Sequence, residues 1–245
     1  MSEVAGRMAT QVGAYYLQKD HGGKGVLLGG VTGTKRANVT VLGGGVVGIN
    51  AAKMAVGLGA NVTMLDINLS RMEYIDDTFE GRVTTLYSNI TNIEDCVRNS
   101  DLLIGAVLLP GKKAPHLVTK EMVQTMSAGS VVVDVAVDQG GCIATCKPTS
   151  HKQPTFEVDG VIHYCVPNMP GVVPRTSTYA LTNVTLYYAR MLAEMGVEEA
   201  ISKDPGLYKG LNVYGGYVTY EAVANDLNME YLSLIHISEP TRRHL

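Results

Sequence analysis

The sequence has no apolar run long enough to cross a bilayer, so no helical membrane span is expected. It has no excess of basic residues either. Lys and Arg number 20 against 23 for Asp and Glu, a net charge of −3, which gives no field to attract a polyanion and excludes nucleic acid as an expected partner. The amino-terminal stretch lacks a basic segment followed by an apolar core, so no secretory signal is expected. Cysteine is sparse: Cys96, Cys142, Cys146 and Cys165 are scattered, and the Cys142/Cys146 spacing has no matching second pair. Reduced thiols in a cytoplasmic protein are therefore expected rather than a zinc site. The 6 histidines form no ligand cluster, with His21 in a Gly-rich loop and His163 inside an apparent strand. No repeat is visible. What remains is an ordinary globular chain of 245 residues, 46% apolar and 18% charged, enough for one large or two modest domains.

Against that plain background, residues 37–66 stand out. Ala37-Asn38-Val39-Thr40-Val41-Leu42 reads as a buried strand and runs into Gly43-Gly44-Gly45-Val46-Val47-Gly48, which satisfies G-x-G-x-x-G. A small-residue helical stretch follows from Ile49 to Leu58, and Asn61 to Leu65 reads as a second strand ending at Asp66. Each position has a physical reason. Gly43 permits the tight turn, Gly45 lets a pyrophosphate approach the backbone, and Gly48 lets the helix lie close to the sheet. The N–H groups of the first helical turn face the phosphates, and Asp66 can accept hydrogen bonds from ribose hydroxyls while disfavouring a 2′-phosphate. Arg71, one helical turn further on, softens that preference for NAD over NADP.

The rest of the chain alternates in the same way. Helices are expected over residues 2–18 (with Val4, Met8, Val12 and Tyr15 on one face), 68–79, 91–99, 119–126, 176–195 and 219–227. Strands are expected over 83–87, 101–109, 131–137 and 161–165; the continuous apolar runs suit strands buried on both faces. This predicts an α/β fold with a Rossmann-type, doubly wound parallel sheet. Ligands of such sheets bind beyond the carboxyl ends of the strands, which selects Val107-Leu108, Asp138 and Asn168-Met169 beside the glycine loop. Asp134, inside its strand, reads as a structural acid.

Several motifs together resemble the alanine dehydrogenase family: Met1-Ser2-Glu3-Val4-Ala5-Gly6-Arg7, residues 43–48 and 50–55, Ala114-Pro115, residues 134–141, and Asn168-Met169-Pro170 through Asn183. The resemblance covers residues 1–231. It separates the chain from its nearest relative, the nicotinamide nucleotide transhydrogenase α subunit; a hydride carrier of that kind and a catalytically inert NAD-binding fragment are the alternative readings, and this chain alone is expected to be inactive. It implies an NAD-dependent, reversible oxidative deamination of L-alanine to pyruvate and ammonium, in a cytoplasmic homo-oligomer, typically a hexamer, with no membrane or nucleic-acid partner. It implies residue roles as well. Ser2 would touch the cofactor; Gly43, Gly45, Val46, Val47 and Gly48 would hold the pyrophosphate; Asp66 and Arg71 would lie at the ribose. Ser88, Val107 and Leu108 would line the adenosine side, and Val135, Ala136, Val137, Asp138, Val166, Asn168 and Met169 the nicotinamide half, with Asp138 also catalytic.

The resemblance further implies that the family's substrate-binding arginine and lysine and its acid/base histidine precede the first residue here, in about a third of a complete member. The expected organisation is an inter-domain helix and loop over 1–36, an NAD-binding domain over 37–172 and helices of an incomplete substrate domain over 173–231. Residues 232–245 are set apart. Leu232 to Arg242 resembles a translated sequencing-library adapter rather than protein, so His236 and His244 are discarded as site residues.

Overall fold

The computed structural model describes residues 1–107 and 116–233; Leu108, Ala114, Pro115, His236 and His244 lie outside the described residues. The chain opens with α1 (Ser2–Tyr16), followed by a 3₁₀ turn (Lys19–His21) and a glycine-rich loop. Then come β1 (Asn38–Leu42), α2 (Val46–Gly57), β2 (Asn61–Asp66), α3 (Leu69–Phe79), β3 (Val83–Tyr87), α4 (Ile90–Asn99), β4 (Leu102–Gly105), α5 (Lys120–Gln124) and β5 (Val131–Asp134). A hairpin of β6 (Thr155–Val158) and β7 (Val161–Tyr164) completes a 7-stranded sheet in the order β3-β2-β1-β4-β5-β7-β6.

The sheet is parallel, as the apolar runs predict, except for β6, which pairs antiparallel with β7 at one edge. The chain moves outward from β1 to β3 and then returns to place β4 on the other side of β1. That reversal leaves a crevice at the carboxyl ends of β1 and β4, where doubly wound sheets bind ligands. One face of the sheet packs Val39, Val41, Val131 and Val133 against Ala9, Ala51, Ala52 and Ala55 of α1 and α2. The other packs Leu42, Leu103 and Val132 against Ile93, Val97 and Val123 of α4 and α5.

The buried face of α1 differs from the expected one. Met8 is buried, but Tyr15 is exposed and Val4 and Val12 are half-buried. Burial instead follows Ala5, Gly6, Ala9, Thr10 and Gly13, small residues that let α1 lie close against α2 and, at Gly13, against Leu102 of β4. A Cβ added at Gly6 would overlap the Val47 carbonyl oxygen. Thr10 donates its hydroxyl to the Ala51 carbonyl at 2.8 Å, and Arg7 Nε donates to Asn50 Oδ1 at 3.1 Å. The helix that follows the glycine turn is thus braced by its predecessor.

Three other departures have local causes. β5 stops at Asp134 rather than Val137, because the chain turns into a 3₁₀ segment (Val137–Gln139) that buries Ala136 and Val137 without extending the ladder. β4 is shorter than the apolar run 101–109. The edge strand β6 was not expected, although Asp159-Gly160, both left-handed (φ 51° and 79°), form the two-residue turn that favours a hairpin.

The described chain forms two compact units, one over Met1–Ser177 and a second beginning at Thr178. The second contains most of α6 (Pro174–Lys203), which breaks at Gly196 (φ 75°), then α7 (Pro205–Gly210), a hairpin of β8 (Val213–Tyr214) and β9 (Tyr217–Val218), and α8 (Glu221–Leu227). Among the described residues no helix is long and apolar enough to cross a membrane.

The close approach of α1 to α2 sets a test. Gly6→Ala forces the two helices apart and should destabilise by about 1–3 kcal/mol. Gly57→Ala, at the end of α2 where a Cβ meets nothing, should stabilise by about 0.5 kcal/mol. Thermal melts of the two variants should therefore move in opposite directions from the parent.

Candidate functional site

The crevice beyond β1 and β4 contains a cavity of about 500 Å³. It brings together Ser2, Gly43, Gly45, Val46, Val47, Asp66, Arg71, Ser88 and Val107, drawn from α1, the glycine turn, the end of β2, α3, the end of β3 and the end of β4. Gly48 lies behind the wall, and a Cβ there would overlap the Gly43 carbonyl oxygen. Val135, Ala136, Val137, Asp138, Val166, Asn168 and Met169 do not line this cavity.

The glycine turn is shaped by what surrounds it. Gly43 is left-handed (φ 98°), and a Cβ on it would sit 2.9 Å from the Ala106 carbonyl oxygen. A Cβ on Gly44 would meet Ile75 Cδ1 at 2.7 Å and Asp66 Oδ2 at 3.1 Å, whereas the space over Gly45 is open. The first helical bond of α2 runs from Ile49 N to Gly45 O, leaving the N–H groups of Val46, Val47 and Gly48 without a backbone acceptor. No side chain among the described residues caps them. By contrast, α3, α4 and α5 are capped by the side chains of Asn68, Asn89 and Thr119. An uncapped helix start, with its positive dipole end facing an open glycine, fits a pyrophosphate.

Asp66, half-buried at the end of β2, holds this turn in place. Its Oδ2 accepts from Gly44 N at 2.6 Å and its Oδ1 from Asn68 N at 2.8 Å. Each oxygen keeps a lone pair for a ribose hydroxyl. Arg71 is exposed, its guanidinium 5.9 Å from the centre of the Tyr74 ring. The sequence reading did not include Gly44, Leu65, Ile67, Asn68, Ala106 and Leu117 among the lining residues. Most of these flank residues it named; Leu117 arrives through a loop, anchored by its N–H on the Cys142 carbonyl, and carries no local signal.

On the β5 side two acids part company. Asp134 is fully buried and accepts from the N–H groups of Ala136, Cys142 and Ile143 at 3.0, 3.0 and 3.3 Å, the structural role its place in the strand suggests. Asp138 is exposed and lies in the 3₁₀ turn, where the N–H groups of Gly140 and Gly141 go to Val137 and Ala136 carbonyls rather than to its carboxylate. His163 is buried between Val161 O, which fixes the proton on Nδ1, and the Thr145 hydroxyl on Nε2. Burial holds it below the usual imidazole range. His21 packs on the Tyr15 ring at 3.9 Å. The thiols of Cys142 and Cys146 are pushed up, by burial for the first and by the Cys165 thiol and burial for the second, which makes them poor nucleophiles. All 4 cysteines are free, and among the described residues no group of acids, histidines and cysteines could hold a metal.

Burial pushes the Asp134 carboxyl up to about 6, against the pull of its three N–H donors, with Asp138 adding to the rise. Relative to an ordinary value of 3.8, the folded chain holds this proton more firmly across the interval up to about 6. Its contribution to stability is therefore complete at low pH and is lost as pH rises through about 6. Asp134→Asn should remove this falling component. It should also cost about 1–3 kcal/mol, because its amide turns a donor toward a backbone donor. Urea unfolding of parent and variant across that interval checks both effects. His163, which contributes the opposite slope, is common to the two proteins and cancels in the difference.

Comparison with known proteins agrees with this geometry. The family model described as alanine dehydrogenase/PNT, C-terminal domain, matches residues 9–221. The chain is 59% identical over 233 residues to the alanine dehydrogenase of Bacillus subtilis (strain 168), covering 95% of this chain and 62% of that relative. It therefore spans less than two thirds of that relative's length. A solved L-alanine dehydrogenase superposes with a TM-score of 0.90 at 55% identity, covering 93% of this chain and 63% of the other. A solved transhydrogenase from Sinorhizobium meliloti is more distant, with a TM-score of 0.72 at 26% identity over 90% of this chain and 60% of that one. With the fold, the glycine turn and these matches in hand, the chain belongs to the alanine dehydrogenase/PNT family, whose C-terminal domain it carries.

Proposed function

We propose that this chain is the NAD-binding part of an alanine dehydrogenase, an enzyme that interconverts L-alanine and pyruvate plus ammonium. The single observation that carries the reading is the uncapped start of α2 over an open Gly45, beside a carboxylate already positioned at the end of β2. The identities of 59% and 55% to alanine dehydrogenases, against 26% to a transhydrogenase, favour this activity over a hydride carrier of the transhydrogenase type.

In this reading Gly43, Gly45 and the N–H groups of Val46, Val47 and Gly48 bind and orient the pyrophosphate. Asp66 holds the ribose, with Arg71 at the rim; Ser2, Ser88 and Val107 line the adenosine side. Val135, Ala136, Val137, Val166, Asn168 and Met169 line the nicotinamide half, and Asp138 holds or moves a proton there. NAD supplies the hydride acceptor. The helices after residue 173 belong to a substrate domain completed by a segment preceding this chain, and the whole enzyme works in the cytoplasm as a homo-oligomer, a hexamer by family resemblance.

Titration with NADH and NADPH, followed by cofactor fluorescence, tests the reading. NADH should bind saturably and more tightly than NADPH, and Asp66→Ala should weaken NADH by about tenfold or more. A folded chain that binds neither nucleotide would overturn it.

A further inference from the structure

A second groove, of about 400 Å³, opens at the amino-terminal ends of β2 and β3. β2 runs from Asn61 to Asp66, so this groove lies at the opposite end of the sheet from the dinucleotide cleft, about 17 Å away along the strand. Arg36 and Arg82 both line it, together with Asn61, Thr63 and Thr84. Thr63 and Thr84 are register partners on adjacent parallel strands, so their hydroxyls stand side by side on one face. Neither hydroxyl has a hydrogen-bond partner among the described residues, and neither arginine is in an ion pair among them.

The arginines are not simply balancing acids. No carboxylate among the described residues lines the groove. Asp101, which accepts from the N–H of the adjoining Asn38, is neutralised by Lys24 Nζ at 2.7 Å. Arg82 does have one structural duty: its Nε donates to the Phe79 carbonyl at 3.1 Å, closing the end of α3. That uses one of its five donors and leaves both terminal nitrogens free. Arg36 has no such duty. The groove thus collects two guanidinium groups and a pair of hydroxyls; Asn61 also lines it, its amide donating to Asn38 Oδ1 at 3.3 Å.

We propose that this groove is a second anion site, which takes inorganic phosphate or the phosphate group of a small phosphorylated molecule. A carboxylate presents two oxygens in one plane, well served by a single guanidinium. Donors arriving from two arginines and from a threonine pair suit a tetrahedral oxoanion with more acceptor oxygens. The volume also exceeds that of phosphate alone, leaving room for the remainder of a small organic phosphate.

The test is an amide-resolved NMR titration of the ¹⁵N-labelled full chain with inorganic phosphate, at ionic strength held constant with sodium chloride. The amides of Thr63, Arg82 and Thr84 should shift saturably at millimolar phosphate, separately from any shift at Gly45, Val46 and Val47 in the cleft. Arg36→Gln, which leaves the bond to Phe79 intact, should weaken the response at Thr63 and Thr84 by about fivefold or more. Adding Arg82→Gln should abolish it. Shifts at these amides that stay linear in phosphate, that chloride reproduces, or that Arg36→Gln leaves unchanged would overturn the proposal. So would shifts confined to the cleft. A small phosphorylated ligand that binds there more tightly than phosphate, with the same dependence on Arg36, would identify the organic form as the occupant.

Discussion

The cleft depends on one constraint: the turn from β1 into α2 carries no side chain where the backbones come closest. The glycines meet this constraint for different reasons. Gly43 adopts a left-handed conformation beneath the Ala106 carbonyl, Gly48 rests on the Gly43 carbonyl, and Gly44 is wedged between Ile75 and Asp66. Only Gly45 faces empty space. Packing therefore demands three of them and leaves the fourth for a ligand. Asp66 completes the arrangement. A carboxylate next to a place made for phosphates would oppose them were it not already engaged by the N–H groups of Gly44 and Asn68. Those bonds spread its charge into the backbone and fix the turn that presents the α2 donors. The same carboxylate orders the loop and, in the proposed enzyme, would disfavour an additional phosphate on the ribose.

The bracing of α2 extends this constraint outward. Ser2 at the start of α1 and Val46 and Val47 at the start of α2 line one cavity, and the helices bearing them meet through Gly6, Ala9 and Thr10, while Gly13 lets α1 settle on Leu102 of β4. A small-residue interface leaves little freedom for one helix to slide on the other, since close-packed backbones have no flexible side chains to readjust. Any displacement of α1 is therefore felt where the first-turn N–H groups point.

Legibility in the sequence followed how local each feature is. The glycine turn, Asp66 and the strands around them could be read because their determinants are contiguous: a buried run, a turn and an acid at fixed spacing. The interface of α1 was misread for the opposite reason. A hydrophobic face was sought among large residues, while close helix contact selects small ones. β5 was read as too long because Val135, Ala136 and Val137 are apolar in a turn as they would be in a strand, and burial does not distinguish the two. The β6–β7 hairpin had its signal in Asp159-Gly160, but β6 is an edge strand with only partial burial and shows little periodicity. Leu117 could not have been found locally at all, since a hydrogen bond to Cys142 brings it to the cleft.

The two acids at the end of β5 and just beyond it are used in different ways. Asp134 is consumed by structure, with three N–H donors and no exposure. Asp138, four residues on, keeps its carboxylate exposed and outside the hydrogen bonds that close its own turn. Exchange of an amino group for a carbonyl requires at least one further proton carrier, and a general acid/base must reach the reacting atom. The two histidines considered above are already spent: His163 lies between Val161 and Thr145, and His21 lies against Tyr15. Within the described residues the dinucleotide cradle is nearly self-sufficient, assembled mostly from residues 43–88, whereas Asp138 stands without an imidazole partner. In the proposed enzyme, holding the cofactor and turning over alanine are therefore separable properties: the first draws mostly on residues 43–88, and the second needs a proton carrier beside Asp138 that neither His21 nor His163 supplies.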